Sequence, residues 1–195
     1  MPPPLISKIL ETMPRNKPRL QLALYARPKH PGTYHYALFV SPKSTKQQQA
    51  NSATKHHVKN TLQNISGELT QPWRYERLAI SDVQLEQRLL VRIVIAKVTS
   101  PDALERILKA VPVYQIDDPD QAKAQLFTCL TWVRAALEEL GRQGAVAEFR
   151  EWEEIQKKAL EYMERKKKVG RWSTGWKGEV GVPMLDLLDG REVVG

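Results

Sequence analysis

The chain has 195 residues, of which 42% are hydrophobic and 27% are charged, and its formal net charge is +8 at pH 7. This length supports one domain with a hydrophobic core, and no stretch approaches the roughly 18 uninterrupted apolar residues that a transmembrane helix needs. A single cysteine, Cys129, cannot form an internal disulfide, which favours a reducing compartment. We therefore expect a cytoplasmic protein.

The first half of the chain predicts β-strands. Residues 1–18 are rich in proline and basic residues and are interpreted as an N-terminal arm, ahead of a single domain over residues 19–195. Alternating or β-branched apolar residues, bounded by turn signals, predict strands over residues 20–26, 33–40, 55–62, 73–80 and 89–98. We expect the strands at 20–26, 33–40, 55–62 and 89–98 to lie in one sheet. The segment 41–54 is rich in Gln, Ser and Lys and predicts a mobile loop.

The second half predicts helices. Ser100 and Pro101 are typical of an N-cap and a first helical residue. A second helix, ended by Gly141, is predicted from apolar residues at intervals of about 3.6 positions, namely Leu126, Leu130, Val133, Leu137 and Leu140. A third is predicted over residues 147–167. Because strands come first and helices follow, without strict βαβ alternation, the sequence predicts an α+β fold with a mainly antiparallel sheet and packed helices.

Cys129 allows two interpretations. If Thr128 is the N-cap of the second helix, the thiol lies in the first turn, where the helix dipole favours a thiolate. Unpaired N–H groups of that turn could then receive an oxyanion. If Asp117 or Asp118 caps a longer helix instead, Cys129 lies in mid-helix as a small buried hydrophobic residue.

Two histidines are candidate partners of this thiol. His35 lies in the strand at 33–40, where its side chain shares a face with Ala37 and Phe39, opposite to Tyr34 and Tyr36. Antiparallel pairing with the next strand could bring His57 beside His35, while its neighbour His56 faces the other side. A histidine in a strand is also common as a hydrogen-bonded core residue, so the sequence leaves both interpretations open.

Several segments resemble known families. YHYALFV, which contains His35, resembles the histidine-strand motif HWALYV of the circularly permuted papain-like proteins, the lecithin retinol acyltransferase and NlpC/P60 superfamily. TCLTWV at Cys129 resembles the cysteine motif NCEHFV of the same superfamily, and the order of His35, His57 and Cys129 is similar. From Arg19 onward the chain also resembles an uncharacterised family of small filamentous-fungal proteins, with segments like YHWALIVGPK, YHVKN, NCVxWVKEAL and VPxxDLLxGKE.

The resemblance implies a permuted papain-like domain with Cys129 as nucleophile, His35 as general base and His57 as the partner that orients the base. The expected protein is a thiol-dependent hydrolase or acyltransferase that acts on an amide, ester or thioester carbonyl. Its substrate would be a small molecule or an acyl compound, and no cofactor is implied. Fold resemblance alone does not transfer the identity of the substrate.

Other classes of function compete with the enzyme. The alternative is a non-catalytic interaction module that binds an anionic partner through its basic surface. A zinc site of His35, His57 and Cys129 is a third hypothesis, but no close-spaced ligand pair such as CxxC or HExxH supports it. Nucleic-acid binding is disfavoured, because the one dense basic run, 164–171, is typical of a solvated helix end and no nucleic-acid-binding motif accompanies it.

Overall fold

The computed structural model describes residues 16–43, 51–147 and 149–194. Within these residues the strands are β1 (Arg19–Ala26), β2 (Tyr34–Ser41), β3 (Ala53–Lys59), β4 (Gln63–Ile65), β5 (Glu68–Thr70), β6 (Arg74–Ile80), β7 (Leu89–Lys97), β8 (Met184–Asp186) and β9 (Arg191–Val194). The described strands other than β4 and β5 form one sheet in the order β6-β3-β2-β1-β7-β8-β9. Neighbours in this sheet pair antiparallel, except for the parallel pair β7 and β8. This confirms the α+β class and the mainly antiparallel sheet.

The central strand β1 is buried on its two faces because successive side chains of a strand point to opposite sides. Leu20, Leu22 and Leu24 point to the side that the helices cover, which we call the helix face. Ala23 and Tyr25 point to the other side, which we call the back face. Their exposure is 7% or less, so β1 separates two apolar clusters of different size.

The described helices are α1 (Pro101–Ala110), α2 (Gln121–Leu126), α3 (Cys129–Arg142) and α4 (Trp152–Lys168). Helix α3 packs on β2 and β3, α4 packs on β7, and α1 packs on α3. Fewer residues cover the back face, and they include Val83, in the short 3₁₀ turn Val83–Leu85, and Val182. In the described part of the chain, none of the helices has the length and apolar character needed to cross a membrane.

Most element boundaries follow the sequence, with three corrections, one of which is that the helix predicted over 147–167 begins only at Trp152. Ser100 is the N-cap of α1 and Pro101 its first residue, as predicted. Gly141, however, does not end α3: it lies within the helix, and the chain reverses at Gly144, whose φ of 66° suits glycine. The strand predicted at 55–62 is shifted and ends at Lys59. Residues 1–15 of the predicted arm and 44–50 of the predicted loop lie outside the described residues.

Because β1 is buried on both faces, we expect substitutions in this strand to lower the free energy of unfolding more than substitutions in the other strands. Leu22 is fully buried at its centre, so we expect Leu22→Ala to lower the free energy of unfolding by about 2–5 kcal/mol, since it leaves a cavity that the sheet cannot close. Urea denaturation measures the change. Leu85→Ala, at a side chain that is 76% exposed, is the matched control and should change the value by less than about 0.5 kcal/mol. Equal effects of the two substitutions would contradict this account of the core.

Candidate functional site

Cys129 is the first residue of α3, and the local sequence explains this position. Thr128 is the N-cap, and its hydroxyl accepts the N–H of Thr131 at 3.2 Å while the hydroxyl of Thr131 accepts the N–H of Thr128 at 2.8 Å. This reciprocal capping box fixes the start of the helix. The interpretation with Thr128 as N-cap is therefore confirmed, and the longer helix capped by Asp117 or Asp118 is wrong, because α2 is a separate helix capped by Asp120.

The thiol itself is buried and protonated. Cys129 is 6% exposed and belongs to the cluster on the helix face. Burial raises the pKa of the Cys129 thiol above its ordinary value. The backbone N–H of Tyr36, the charge of Arg27 and the backbone N–H of Leu130 act in the opposite direction without cancelling the effect of burial. At neutral pH the group is a thiol, and the helix position has not made it a thiolate.

His35 and His57 meet on the back face. His35 lies opposite Tyr25 in the pairing of β1 with β2, and the two rings pack with their centroids 5.9 Å apart. Its Nε2 lies 2.8 Å from Nδ1 of His57, which confirms the predicted approach of the two rings. His56 points to the helix face, as expected, where its Nδ1 hydrogen-bonds the hydroxyl of Tyr75 at 2.7 Å.

The surroundings of His57 determine which nitrogen atoms carry protons. Its Nε2 lies 3.4 Å from a carboxylate oxygen of Glu76, which also pairs with Lys59 at 2.7 Å and with Arg74 at 3.1 Å. Because an ionised carboxylate attracts an N–H, the charge of Glu76 favours the proton of His57 on Nε2, although this nitrogen makes no hydrogen bond at that distance. Nδ1 of His57 then accepts from Nε2–H of His35. His35 and His57 thus form a hydrogen-bonded imidazole pair beside the carboxylate of Glu76.

Burial and nearby cations keep these imidazoles neutral. Burial, followed by the charges of His57 and Lys55, lowers the pKa of His35 to about 3. Burial and the charge of Lys55 lower the pKa of His57 to about 4, and Glu76 opposes this shift only in part. A base with so low a pKa is a weak proton acceptor at neutral pH. The His35–His57 pair is therefore better suited to a fixed hydrogen bond than to general-base catalysis.

The structure does not bring Cys129 to either histidine. The thiol lies on the helix face, while His35 and His57 lie on the back face, and no hydrogen bond joins the thiol to an imidazole among the described residues. The structure therefore does not assemble the predicted catalytic dyad of Cys129 and His35, oriented by His57. The reason is the period of two along β2: the backbone of Tyr36 approaches the thiol, so the side chain of His35 points away.

The same separation excludes a metal site that combines these three residues. In the part of the chain that the structure describes, no group of three or more His, Cys, Asp or Glu side chains could hold a metal ion.

Cys129 instead lies at one end of a cleft between the β1–β2 turn, the start of α3 and α4. Two adjoining cavities, of about 500 and 420 Å³, form this cleft, and they share the lining residues Arg27, Gly32, Thr33, Tyr34 and Met163. The first cavity extends to the thiol and Leu130, and the second extends to Lys167 and Trp172. A cleft of this size with a mainly apolar lining is typical of small-molecule sites.

The charged groups of the cleft are unevenly paired. Glu164 accepts a long hydrogen bond from the hydroxyl of Tyr34 at 3.5 Å and lies 3.9 Å from the ammonium of Lys167. Arg27 is exposed and has no side-chain hydrogen bond or ion pair among the described residues. No sequence signal points to Arg27, because it follows β1 in a turn without any recognisable motif.

The chain belongs to a family of unknown function, DUF6914, whose profile matches residues 17–194. No curated protein and no solved structure matches the chain. The family match extends from just before β1 to the end of β9 and so includes the cleft and the histidine network.

The buried histidines His56 and His57 and the half-buried His35 should make stability depend on pH. Burial lowers the pKa of His35, His56 and His57 below the ordinary value of 6.5. Below about pH 6.5 the unfolded chain therefore binds more protons than the folded chain. We expect the free energy of unfolding to be level above about pH 7 and to fall below about pH 6.5, by up to about 1.4 kcal/mol per pH unit for each histidine. Urea denaturation between pH 7.5 and about 5 measures this before carboxylates titrate.

His57→Gln should make this slope shallower. His30→Gln, at an exposed residue of the β1–β2 turn, is the matched control and should leave the slope unchanged. A stability that stays constant from about pH 7 to 5 in the wild-type protein would contradict the neutral network.

The buried thiol should react slowly in the folded protein. Because burial raises its pKa, we expect iodoacetamide to modify native Cys129 far more slowly than the unfolded chain at pH 7.5, and the native rate to rise only in alkaline solution. Mass spectrometry of the labelled protein follows the reaction. Rapid native labelling below pH 7, where only an activated thiolate reacts, would restore the nucleophile predicted from the sequence.

Proposed function

We propose that the protein is a binding module that reversibly takes up an organic anion with an apolar body in the cleft beside Cys129, without covalent chemistry at the thiol. The observation that carries this proposal is Arg27, an exposed cation that lines the two adjoining cavities and has no ion pair among the described residues. An unpaired guanidinium in an apolar cleft suits a carboxylate or a phosphate ester, which it can bind through two parallel hydrogen bonds.

The apolar lining supports an amphiphilic ligand. Leu130, Leu160 and Met163 contribute aliphatic and thioether surface to the first cavity, and Leu90 and Trp172 contribute to the second. A purely inorganic anion would leave this surface in water. A ligand with an acidic head at Arg27 and a hydrocarbon or aromatic body along the cleft would contact the cation and the apolar wall together.

The start of α3 adds to the positive potential at the same end of the cleft. Cys129 and Leu130 occupy the first two positions of this 14-residue helix and line the first cavity. The N-terminus of a helix carries a partial positive charge. Its field and the charge of Arg27 act on the same region, since Arg27 also lowers the pKa of the Cys129 thiol in part. Glu164 is the opposing charge, and Lys167 offsets it.

A thiol-dependent hydrolase or acyltransferase is less well supported. Its nucleophile would need a base, but no histidine belongs to the lining described for either cavity. The imidazoles of His35 and His57 are hydrogen-bonded to each other on the back face. Because Cys129 has no neighbouring base and the pKa of its thiol is raised, its role is that of a residue lining the cleft.

Calorimetric titration with decanoate, below its micelle concentration, tests the proposal, with decanol as the uncharged comparison. We expect decanoate to bind and Arg27→Met to weaken it roughly tenfold, because a charge-assisted hydrogen bond contributes about 1.5–3 kcal/mol before solvent exposure reduces it. Arg106→Met, at an exposed arginine of α1 outside the cleft, is the matched control and should leave the affinity unchanged.

Cys129→Ser separates binding from covalent chemistry. It should leave the affinity for decanoate within about twofold, since the thiol only lines the cavity. Two results would refute the proposal: decanol that binds as tightly as decanoate, or Arg27→Met protein with unchanged affinity. Turnover of an activated thioester or ester that Cys129→Ser abolishes would favour the enzyme instead.

A further inference from the structure

Two segments without acidic residues meet at the opening of the cleft. Residues 27–33, in the β1–β2 turn, contain two Lys or Arg residues, and residues 165–178, at the end of α4 and beyond it, contain six. Neither segment contains Asp or Glu. They are distant in sequence, yet the second cavity of the cleft is lined by Gly32 from the one and by Lys167 from the other. Cations of two separate segments therefore gather around one opening.

Part of this positive charge has no carboxylate partner. Glu192 pairs with Arg165 and Lys166, and Glu164 lies 3.9 Å from the ammonium of Lys167. Other cations of these segments are exposed and have no ion pair or side-chain hydrogen bond among the described residues, namely Arg27, Lys29 and Lys168. The surface around the opening thus carries a surplus of positive charge.

Lys29 and Lys168 lie beside the cleft. Lys29 is in the β1–β2 turn next to Pro28, which lines the second cavity. Lys168 is the last residue of α4, and it lines a surface recess that shares Glu164 with the first cavity. Neither lysine belongs to the lining described for the two cavities of the cleft. These two ammonium groups are therefore available to a large partner that contacts the protein from outside.

An exposed tryptophan lies on the same surface. Trp172 lines the second cavity and is 40% exposed, and Val169 in the same segment is 57% exposed. The ring of Trp176, in contrast, packs against the guanidinium of Arg171, which lies 5.1 Å from its centroid. Tryptophan is enriched at the interface between membrane and water, because its ring is apolar and its N–H is polar. Cations beside an exposed tryptophan are typical of surfaces that bind a membrane without crossing it.

The apolar residues favour a lipid bilayer over a nucleic acid. A single-stranded nucleic acid binds along a groove of cations in which successive bases stack on several aromatic rings. In the part of the chain that the structure describes, the two segments offer one largely exposed ring, that of Trp172. Leu90 and Met163 add apolar surface at the opening, which a sugar–phosphate backbone would leave in water. A bilayer presents anionic headgroups to the cations and apolar carbon beneath them.

We propose that the surface formed by Arg27, Lys29, Lys167, Lys168 and Trp172, which we call the rim, docks the protein on an anionic phospholipid bilayer. The cations contact the lipid headgroups, and the ring of Trp172 inserts at the depth of the headgroups. The cleft then opens toward the membrane. Docking needs no ligand in the cleft, so it goes beyond the proposed function and is tested separately from it.

Cosedimentation of the full chain with phospholipid vesicles tests the proposal. We expect the protein to bind phosphatidylcholine vesicles that contain about 30% phosphatidylserine at least tenfold more tightly than pure phosphatidylcholine vesicles, roughly in line with the attraction of several cations to an anionic surface. Binding should weaken as sodium chloride is added, because salt screens the headgroup charge.

The double variant Lys29→Gln and Lys168→Gln should bind the anionic vesicles roughly 20-fold more weakly, since each basic residue close to an anionic bilayer raises the partition coefficient about fivefold. Trp172→Ala should weaken binding about fivefold, because it removes the inserted ring. The double variant Arg106→Gln and Lys109→Gln is the matched control. It removes two exposed cations of α1 outside the rim and should bind within about twofold of the wild-type protein.

Two results with vesicles would overturn the proposal: equal binding to anionic and neutral vesicles, or an equal loss of binding in the two double variants. A fluorescent single-stranded oligonucleotide that binds while anionic vesicles do not would assign the rim to nucleic acids, and this too would overturn it. The variant Lys29→Gln and Lys168→Gln should keep its affinity for decanoate, because neither lysine lines the cleft. Vesicle binding without decanoate binding would refute the proposed function and support docking.

Discussion

The alternation of side chains across the central strand β1 is the constraint on which the rest of the structure depends. Leu22 and Ala23 are adjacent in sequence and fully buried, yet they belong to different clusters on opposite faces of the sheet. Because β2 and β7 pair with β1 in a fixed register, their side chains are divided between the same two faces. Every polar side chain of these strands is thereby assigned to one of two environments.

This division separates the two kinds of chemistry in the molecule. The thiol of Cys129 faces backbone N–H groups and an apolar cleft, where burial keeps it protonated. The imidazoles of His35 and His57 lie across the sheet, hydrogen-bonded to each other, with Nε2 of His57 3.4 Å from the carboxylate of Glu76. Bringing them together would require β2 to shift by one residue, which would also turn Leu38 and Phe39 to the wrong faces. The apolar core therefore opposes the dyad.

The distribution of charge is uneven in a way that the net charge of +8 does not reveal. Exposed cations such as Arg77 and Arg134 have carboxylate partners on neighbouring helices. Arg27 in the cleft and Arg92 under the back face have none among the described residues. Exposed ion pairs contribute little stability, whereas unpaired cations in recesses attract ligands. The position of Arg27 in the cleft, more than the total charge, supports the proposed anionic ligand.

The sequence by itself determined the long elements of the fold, but not the short elements β4, β5, α2, β8 and β9. The period of two in β1 and β2, the β-branched run of β7, and the caps Ser100 and Thr128 are local signals, because each depends on residues within a few positions. The approach of His57 to His35 was also predictable, since β2 and β3 are consecutive antiparallel strands.

Only the tertiary structure decided which face of the sheet the Cys129 helix covers. The alternation in β2 placed His35 opposite to Tyr36, but the faces offered similar apolar side chains, Leu38 on one and Phe39 on the other. The choice depends on the total apolar area that α3 and α4 bury against all the strands at once. The cleft at Arg27 and the unpaired Arg92 follow from the same docking, because they involve residues that are distant in sequence and share no local pattern.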